Sequence, residues 1–182
     1  MKTNTIARSL NDIGLAAWFG GSLMGATGLN GAAAQVDNPT QRARVANAGW
    51  ARWTPVNLAA IGMFVSGGSL LAFANKGRLL TQAGVGRWSA AKTVLAVGAL
   101  GATAYARVLG QRMIGAGDVP VEGGTSPAPT TPAEVANAQR QLAILQWLIP
   151  ALTAAMLVVD AKLGEQQRPT NVLSGLAARV VG

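Results

Sequence analysis

Four long apolar segments, separated by shorter polar stretches, dominate the pattern of hydrophobic and polar positions along this chain. They cover residues 13–34, 55–75, 88–109 and 139–160. Each is close to the roughly 20 apolar residues that an α-helix needs to cross a bilayer. The pattern therefore predicts an all-α, polytopic membrane protein, in which four transmembrane helices form one bundle and a single integral membrane domain.

The first and third segments decide the number of predicted spans. No charged residue lies between Ile13 and Val36, a stretch longer than the about 7–15 apolar residues of a secretory signal peptide. We expect it to be retained as a span. In the third segment, Lys92 and Arg107 leave a charge-free core of only 14 residues. Long cationic side chains can extend to the membrane interface, so this segment is also predicted to span.

Small residues recur at steps of three or four in three of these segments. Such spacing places them on one face of a helix and allows close helix contact within a bilayer. The longest row lies in the first span, and shorter pairs lie in the second and third. The predicted packing residues are Ala17, Gly21, Gly25, Gly28, Ala32, Gly62, Ser66, Gly98 and Ala102.

The connections between the predicted spans differ in composition. Asn38-Pro39 is typical of a helix start, and arginines and two tryptophans follow it up to Trp53. This predicts a short interfacial helix between spans 1 and 2, with an ordinary polar connection as the alternative. Residues 115–132 are rich in Gly, Pro, Ser and Thr, which predicts a flexible, solvated outer loop. Residues 163–182 are predicted to form a cytoplasmic tail with a weak amphipathic helix at 171–181.

Composition narrows the chemistry that the chain can perform. Half of the residues are hydrophobic and 12% are charged, about half the charged fraction of a soluble domain. There is no Cys and no His, which excludes thiol nucleophiles, Ser-His-Asp triads and Cys- or His-ligated metal sites. We therefore predict no enzyme activity, no metal and no cofactor. The net charge of +8 is spread in small groups, unlike a nucleic-acid-binding surface, so no nucleic-acid partner is predicted.

The distribution of Lys and Arg predicts the orientation in the membrane. With the N-terminus inside, the inner segments hold nine of these residues and the outer segments hold six. We therefore predict a multi-pass protein of the plasma membrane with both termini in the cytoplasm.

Polar residues near the outer ends of the spans form a candidate polar site. These residues are Asn30, Asn57, Tyr105, Arg107 and Gln146. In one interpretation, amide groups supply hydrogen bonds and Arg107 attracts an anion or a lipid headgroup. In the other, the same groups form interhelical hydrogen bonds that fix the packing.

Charged residues near the inner ends form a second polar layer. Asp12, Lys92 and Asp160 allow a Lys92–Asp12 or a Lys92–Asp160 ion pair. The alternative is that these interfacial charges face water independently.

The first span poses a geometric question. At about 100° per residue, Asn30 lies opposite Gly21, so the small-residue face and Asn30 are predicted to meet different neighbours. Either this helix is enclosed on two sides or Asn30 meets water. If the small face packs inside the bundle, the row of Leu15, Phe19 and Leu23 is expected to be free for lipid or another chain.

Two stretches carry a resemblance to a known group of proteins: Asn11-Asp12-Ile13-Gly14-Leu15-Ala16-Ala17-Trp18-Phe19-Gly20-Gly21-Ser22-Leu23-Met24 and Ala51-Arg52-Trp53-Thr54-Pro55. With them the chain resembles uncharacterised four-span integral membrane proteins of high-GC actinobacteria. The resemblance implies a four-span architecture and no established activity, so it assigns no functional residues. The layout is also similar to that of the DoxX-like membrane proteins, as an analogy of architecture only.

These observations support one main functional hypothesis and one alternative. The main hypothesis is a non-enzymatic membrane component with an accessory, assembly or interaction role, whose helix faces bind another membrane protein or a second copy within the lipid bilayer. The alternative is a small transporter or channel that uses the outer polar layer. A membrane enzyme would need a catalytic constellation that a chain without His and Cys does not offer.

Overall fold

The computed structural model describes residues 4–77 and 83–165. Its helices are α1 (Thr5–Met24), a π-helical segment (Gly25–Leu29), α2 (Asn30–Ala34), α3 (Pro39–Ala74), α4 (Ala83–Gly115) and α5 (Ala133–Glu165). Between α4 and α5, the short strands β1 (Val121–Gly123) and β2 (Ser126–Pro127) pair as an antiparallel hairpin. The predicted all-α class is confirmed, with this hairpin as an addition. The predicted amphipathic helix at 171–181 lies outside the described residues.

Three of the described helices are long and apolar enough to cross a membrane: Pro39–Ala74, Gly86–Gly115 and Ala133–Glu165. They contain the second, third and fourth predicted spans and are compatible with an integral membrane protein. The first predicted span lies in helical backbone that continues from Thr5 to Ala34, but this part of the chain does not meet the same criterion. Three spans are therefore found where four were predicted.

Helix α3 unites two elements that were predicted to be separate. As predicted, Asn38 caps the helix, because its side chain accepts a hydrogen bond from the Thr40 backbone N–H at 3.0 Å, and Pro39 is the first helical residue. The helix then continues through Pro55 to Ala74, so the prediction of a separate interfacial helix is wrong. Thr54 Oγ1 donates to the Trp50 carbonyl at 2.9 Å, and such neighbouring hydroxyls help a membrane helix to accommodate a proline.

Helix α1 is the central helix of the bundle. It packs along α3 on one side and against α5 on the other, and α4 packs mainly on α5. Direct contact between α3 and α4 is sparse. A gap therefore runs between α3 and α4 along one side of the bundle.

The contact between α1 and α3 is made by glycines that allow the two backbones to touch. A Cβ atom at Gly14 would lie 2.4 Å from the Ala60 carbonyl oxygen and 2.5 Å from the Phe64 nitrogen. From the other side, a Cβ atom at Gly67 would lie 2.5 Å from both the Ala7 carbonyl oxygen and the Asn11 nitrogen. Small residues permit this approach within a bilayer, but neither glycine belongs to the predicted rows.

The predicted rows are used only in part within the described chain. Gly21 and Gly25 pack against α3, and Ala102 packs against both hydrophobic clusters of the core. Gly98 is exposed, and a Cβ atom there would make only ordinary contact with Leu152, at 3.7 Å, while Ala17 is half-buried. The remaining four predicted packing residues are exposed in the described chain, so their role in helix packing stays a prediction: Gly28, Ala32, Gly62 and Ser66.

The other side of α1 carries the centre of the core. Leu15 and Trp18 are fully buried and pack with Phe64, Ile149 and Met156. The indole of Trp18 donates to Thr103 Oγ1 at 3.2 Å, which connects α1 to α4. The expectation that the row beginning at Leu15 is free for lipid is therefore wrong for Leu15, because α1 is enclosed on two sides.

Alanine substitution of glycines in α1 tests this close approach. We expect Gly14→Ala to destabilise the bundle by about 1–3 kcal/mol, the usual cost of overpacking, because its Cβ would meet backbone atoms of α3. Gly20→Ala is the matched control in the same helix, since a Cβ there meets nothing within 4 Å. It should leave stability unchanged or raise it by up to about 1 kcal/mol. The free energy of unfolding in mixed dodecylsulfate micelles measures both, and equal losses in the two variants would contradict the contact.

Candidate binding cavities

A single π turn in the first helix changes the direction in which Asn30 faces. The backbone N–H of Asn30 bonds to the Gly25 carbonyl five residues earlier, whereas an α-helix bonds four residues back. One additional residue in a turn shifts the following positions by about 100°. Asn30 is thereby brought from the side opposite Gly21 to within about 80° of it.

The small-residue face and Asn30 consequently meet the same neighbour, which overturns the prediction that they could not. Cβ atoms at Gly21 and Gly25 would lie 1.8 Å from Trp53 Cζ2 and 2.1 Å from Trp50 Cη2, so the two indoles of α3 occupy the space above these glycines. Trp50 Nε1 also donates to Asn30 Oδ1 at 3.1 Å.

Asn30 connects three helices through its side-chain amide. While its Oδ1 accepts from Trp50, its Nδ2 donates to Gln146 Oε1 on α5 at 2.9 Å. Thr125 of the hairpin loop also donates to Gln146 Oε1, at 3.4 Å. Asn30 itself is 7% exposed, so both sides of its amide are satisfied in a buried position.

The hairpin covers this end of the bundle. Val121 is fully buried against Leu109 and Met113 of α4. Gln139 of α5, which is also fully buried, donates to the Gly123 carbonyl at 2.8 Å. The prediction that residues 115–132 form a solvated loop is therefore wrong for the central part of this segment, because apolar and amide side chains hold it against the helices.

Below the hairpin, a cavity of about 360 Å³ opens in the gap between α3 and α4; we call it the hairpin-end cavity. Gly124 and Thr125 close one end, and Ile61 and Leu100 lie at the other. Its volume falls at the lower end of the range for single small-molecule sites, about 300–1,000 Å³. The helices of the bundle thus leave room for one small ligand.

The structure brings four of the five residues of the candidate polar site to this cavity: Asn30, Asn57, Arg107 and Gln146. Asn57 Oδ1 is buried and accepts no hydrogen bond from any described residue. Arg107 lies one turn from Gln111, whose amide oxygen, when turned toward it, accepts from the guanidinium at 2.6 and 3.1 Å. Tyr105 is 45% exposed and bonds to Gln141 on the outer surface of the bundle.

The opposite end of the bundle carries a charged cluster centred on Lys92. Its Nζ lies 2.6 Å from Asp160 Oδ1 and 2.8 Å from Asn11 Oδ1. Asn11 in turn donates to the Phe64 carbonyl at 2.9 Å. The cluster therefore joins all of the long helices, and Lys92 pairs with Asp160 rather than with Asp12.

A second cavity, of about 950 Å³, surrounds this cluster and lies in the same gap between α3 and α4; we call it the charged-end cavity. Asp12 is exposed and lines this cavity together with Lys92 and Asp160. The two cavities have Leu100 in common. In residues 4–77 and 83–165, no group of three or more carboxylates is placed to hold a metal ion.

Sequence reasoning missed several residues of the two ends. Asn11, Trp50 and Gln139 each form a hydrogen bond that joins distant parts of the chain. Asn11 is 1% exposed. It lies one helical turn before Gly14, the glycine that contacts α3, and this spacing could have indicated that Asn11 also faces α3. The hairpin that contacts Gln139 leaves little signal, because only five residues form its strands.

The Lys92–Asp160 ion pair can be tested by removal of one partner or both. The two side chains are 16% and 20% exposed, so Lys92→Met should cost more than the roughly 1 kcal/mol of an exposed pair and approach the about 3–5 kcal/mol of a buried one. The double variant Lys92→Met/Asp160→Leu should recover part of this loss, because no unpaired charge remains. Dodecylsulfate unfolding followed by tryptophan fluorescence measures the coupling.

A second pair in the same chain is the control. Arg44 and Asp118 are 3.5 Å apart, with side chains 59% and 55% exposed, so Arg44→Gln should change the stability by less than about 1 kcal/mol. A Lys92→Met effect no larger than this would show that the Lys92 cluster does not hold the bundle together.

Comparison with known proteins gives no family for this chain. No protein-family profile, no curated protein and no solved structure matches it.

Proposed function

We propose that the chain is a four-span integral membrane protein in which α1 and its continuation form the fourth span. The charge-free residues 13–34 extend about 33 Å as a helix, close to the roughly 30 Å of the hydrocarbon core. Helix α1 lies between α3 and α5, so less of its surface would face lipid. In this proposal the protein lies in the plasma membrane, with the hairpin end outside and both termini in the cytoplasm. The excess of Lys and Arg in the inner segments favours this orientation.

We further propose a non-enzymatic accessory role in which the protein holds a membrane-resident molecule in the hairpin-end cavity. The observation that carries this proposal is the cavity itself, which is lined by residues of all five α-helices and of the hairpin loop and opens between α3 and α4. Its volume suits one ligand, and apolar walls with a few polar groups are typical of such sites. Gly21 and Gly25 support binding indirectly, because they leave the space that Trp53 and Trp50 occupy as part of the wall.

The natural absence of cysteine allows a direct test of occupancy. We expect a single cysteine at Ile61→Cys, in the cavity wall, to react slowly with a thiosulfonate reagent in freshly extracted protein, because the co-purified ligand covers it. Exhaustive detergent exchange should then accelerate the reaction several-fold, and native mass spectrometry should show the loss of a bound small molecule.

Leu70→Cys is the matched control on the same helix, since Leu70 is 53% exposed and lines neither cavity. Its reaction rate should not depend on detergent exchange. If Ile61→Cys also reacts at one rate throughout and no bound molecule is detected, the cavity holds no co-purified ligand and the proposal is wrong.

A small transporter is the second candidate, because the two cavities lie in one gap and have Leu100 in common. This function predicts chloride flux into liposomes that contain the protein, and a changed flux for Arg107→Ala and for Asn57→Ala. Arg112→Ala is the control, since this arginine lies on the same helix outside both cavities. Flux equal to that of protein-free liposomes, measured with an entrapped chloride-sensitive dye, would remove the transporter function.

A further inference from the structure

We propose that the ligand of the hairpin-end cavity is an anionic, single-chain amphiphile of the lysophospholipid type, a lipid with one acyl chain and a free hydroxyl beside its ester. Arg107 binds its phosphate, the hydroxyl donates to Asn57 Oδ1, and the chain lies between Ile61 and Leu100. This inference rests on the proposed function and identifies the class of molecule that occupies the site.

Arg107 supplies the charge that selects an anion. It forms no ion pair with a carboxylate of the described residues, whereas Arg44 and Lys92 are both paired. Gln111, one turn along the helix, can orient the guanidinium. A planar guanidinium with free donors is suited to bidentate binding of a phosphate group.

Asn57 supplies the second polar contact. Its Oδ1 is buried in the cavity wall without a donor from any described residue. A buried acceptor that lacks a hydrogen bond is unfavourable, and a ligand with an O–H group would satisfy it. A diacyl phospholipid has only ester oxygens at the corresponding position and cannot donate there, whereas a lysophospholipid can.

The order of these groups along the cavity matches the order of groups in the lipid. Helices α3 and α4 are antiparallel, and the cavity ends at Ile61 on one and at Leu100 on the other. With 1.5 Å of rise per residue, Asn57 lies about 6 Å from Ile61, and Arg107 lies about 10 Å from Leu100. Chain, hydroxyl and phosphate therefore follow one another from the middle of the bundle toward the hairpin.

The size of the cavity favours one chain over two. Its volume of about 360 Å³ is near the lower limit for a ligand site. Apolar residues at its inner end, among them Leu58, Ile61 and Ile149, suit the first carbons of an acyl chain, and the rest of a long chain would leave through the opening between α3 and α4. A free phosphate ion would leave this apolar part empty, so a lipid is the better occupant.

Tryptophan fluorescence can report binding at the wall of this cavity. Trp50 and Trp53 line it, Trp88 and Trp147 are exposed elsewhere, and Trp18 is fully buried in the core without lining the cavity. Removal of the two exposed indoles leaves Trp18 as a background signal beside Trp50 and Trp53. We therefore choose Trp88→Phe/Trp147→Phe as the background and add lysolipids with a brominated chain, which quench nearby indoles, to the full-length protein in vesicles of unbrominated phosphatidylcholine. The three probes are lysophosphatidylglycerol, lysophosphatidylcholine and the 2-O-methyl ether of lysophosphatidylglycerol.

The expected result is about tenfold tighter binding of lysophosphatidylglycerol than of lysophosphatidylcholine. Both lipids offer a phosphate to Arg107, but the choline cation of lysophosphatidylcholine cancels the net negative charge and is repelled by the guanidinium. Arg107→Gln should abolish this preference, and Arg112→Gln should leave it unchanged. The methyl ether should bind more weakly than the parent lipid, and Asn57→Leu should remove that difference. The unfolding midpoint of each variant shows that it is folded.

The outcomes separate the two proposals. If all three lysolipids quench Trp50 and Trp53 equally and neither substitution matters, the cavity accepts an acyl chain but the assignment of head group and hydroxyl is wrong. If none of them quenches more strongly than a brominated lipid mixed at random into the bilayer would, both the ligand class and the proposed function are wrong. Displacement of the quencher by inorganic phosphate alone would assign the site to a free anion instead.

Discussion

The close approach of α1 and α3 is the constraint on which the rest of the bundle depends. Gly14 and Gly67 have no side chains, so the backbones of these helices touch where any Cβ would collide. This contact places Asn11 against the Phe64 carbonyl and within reach of Lys92. Toward the hairpin, Gly21 and Gly25 accept the indoles of α3 instead of its backbone. Since α3 is held on α1 and α4 is held on α5, the gap between α3 and α4 stays open, and both cavities lie in it.

A central helix has different chemical requirements from its neighbours. The continuous helical stretch formed by α1, the π-helical segment and α2 carries two buried asparagines, Asn11 and Asn30, and both are hydrogen-bonded to other helices. Polar groups at membrane depth are tolerated where they face protein, and a helix with few lipid contacts can therefore be less apolar. In the proposed four-span arrangement, this would account for a central helix that does not meet the combined criterion of length and apolarity for a span.

The helical class and the three apolar helices could be predicted from the sequence, because long apolar segments are a strong signal. The helix cap at Asn38 was also predictable, because capping depends on the local sequence alone. Gly14 and Gly67 were not predicted, since the spacing of small residues shows which faces could pack and not which face has a neighbour. Of the candidate polar site, Asn30, Asn57, Arg107 and Gln146 line one cavity, whereas Tyr105 points away because its register on α4 differs from that of its neighbours. The role of the hairpin depends on tertiary contacts of a few residues, and no periodic pattern in the sequence predicts these contacts.

The π turn at Gly25–Leu29 has a consequence for how this sequence can change. Loops usually absorb the gain or loss of a residue, and helices do not. Here one helical turn already contains the additional residue, so its deletion would restore a regular helix and rotate Asn30 by about 100°. The backbone would keep a full set of hydrogen bonds, yet the asparagine would leave both Trp50 and Gln146. Residues before Gly25 and after Leu29 thus meet their neighbours in two different helical frames, and the length of this turn decides whether the polar connection forms.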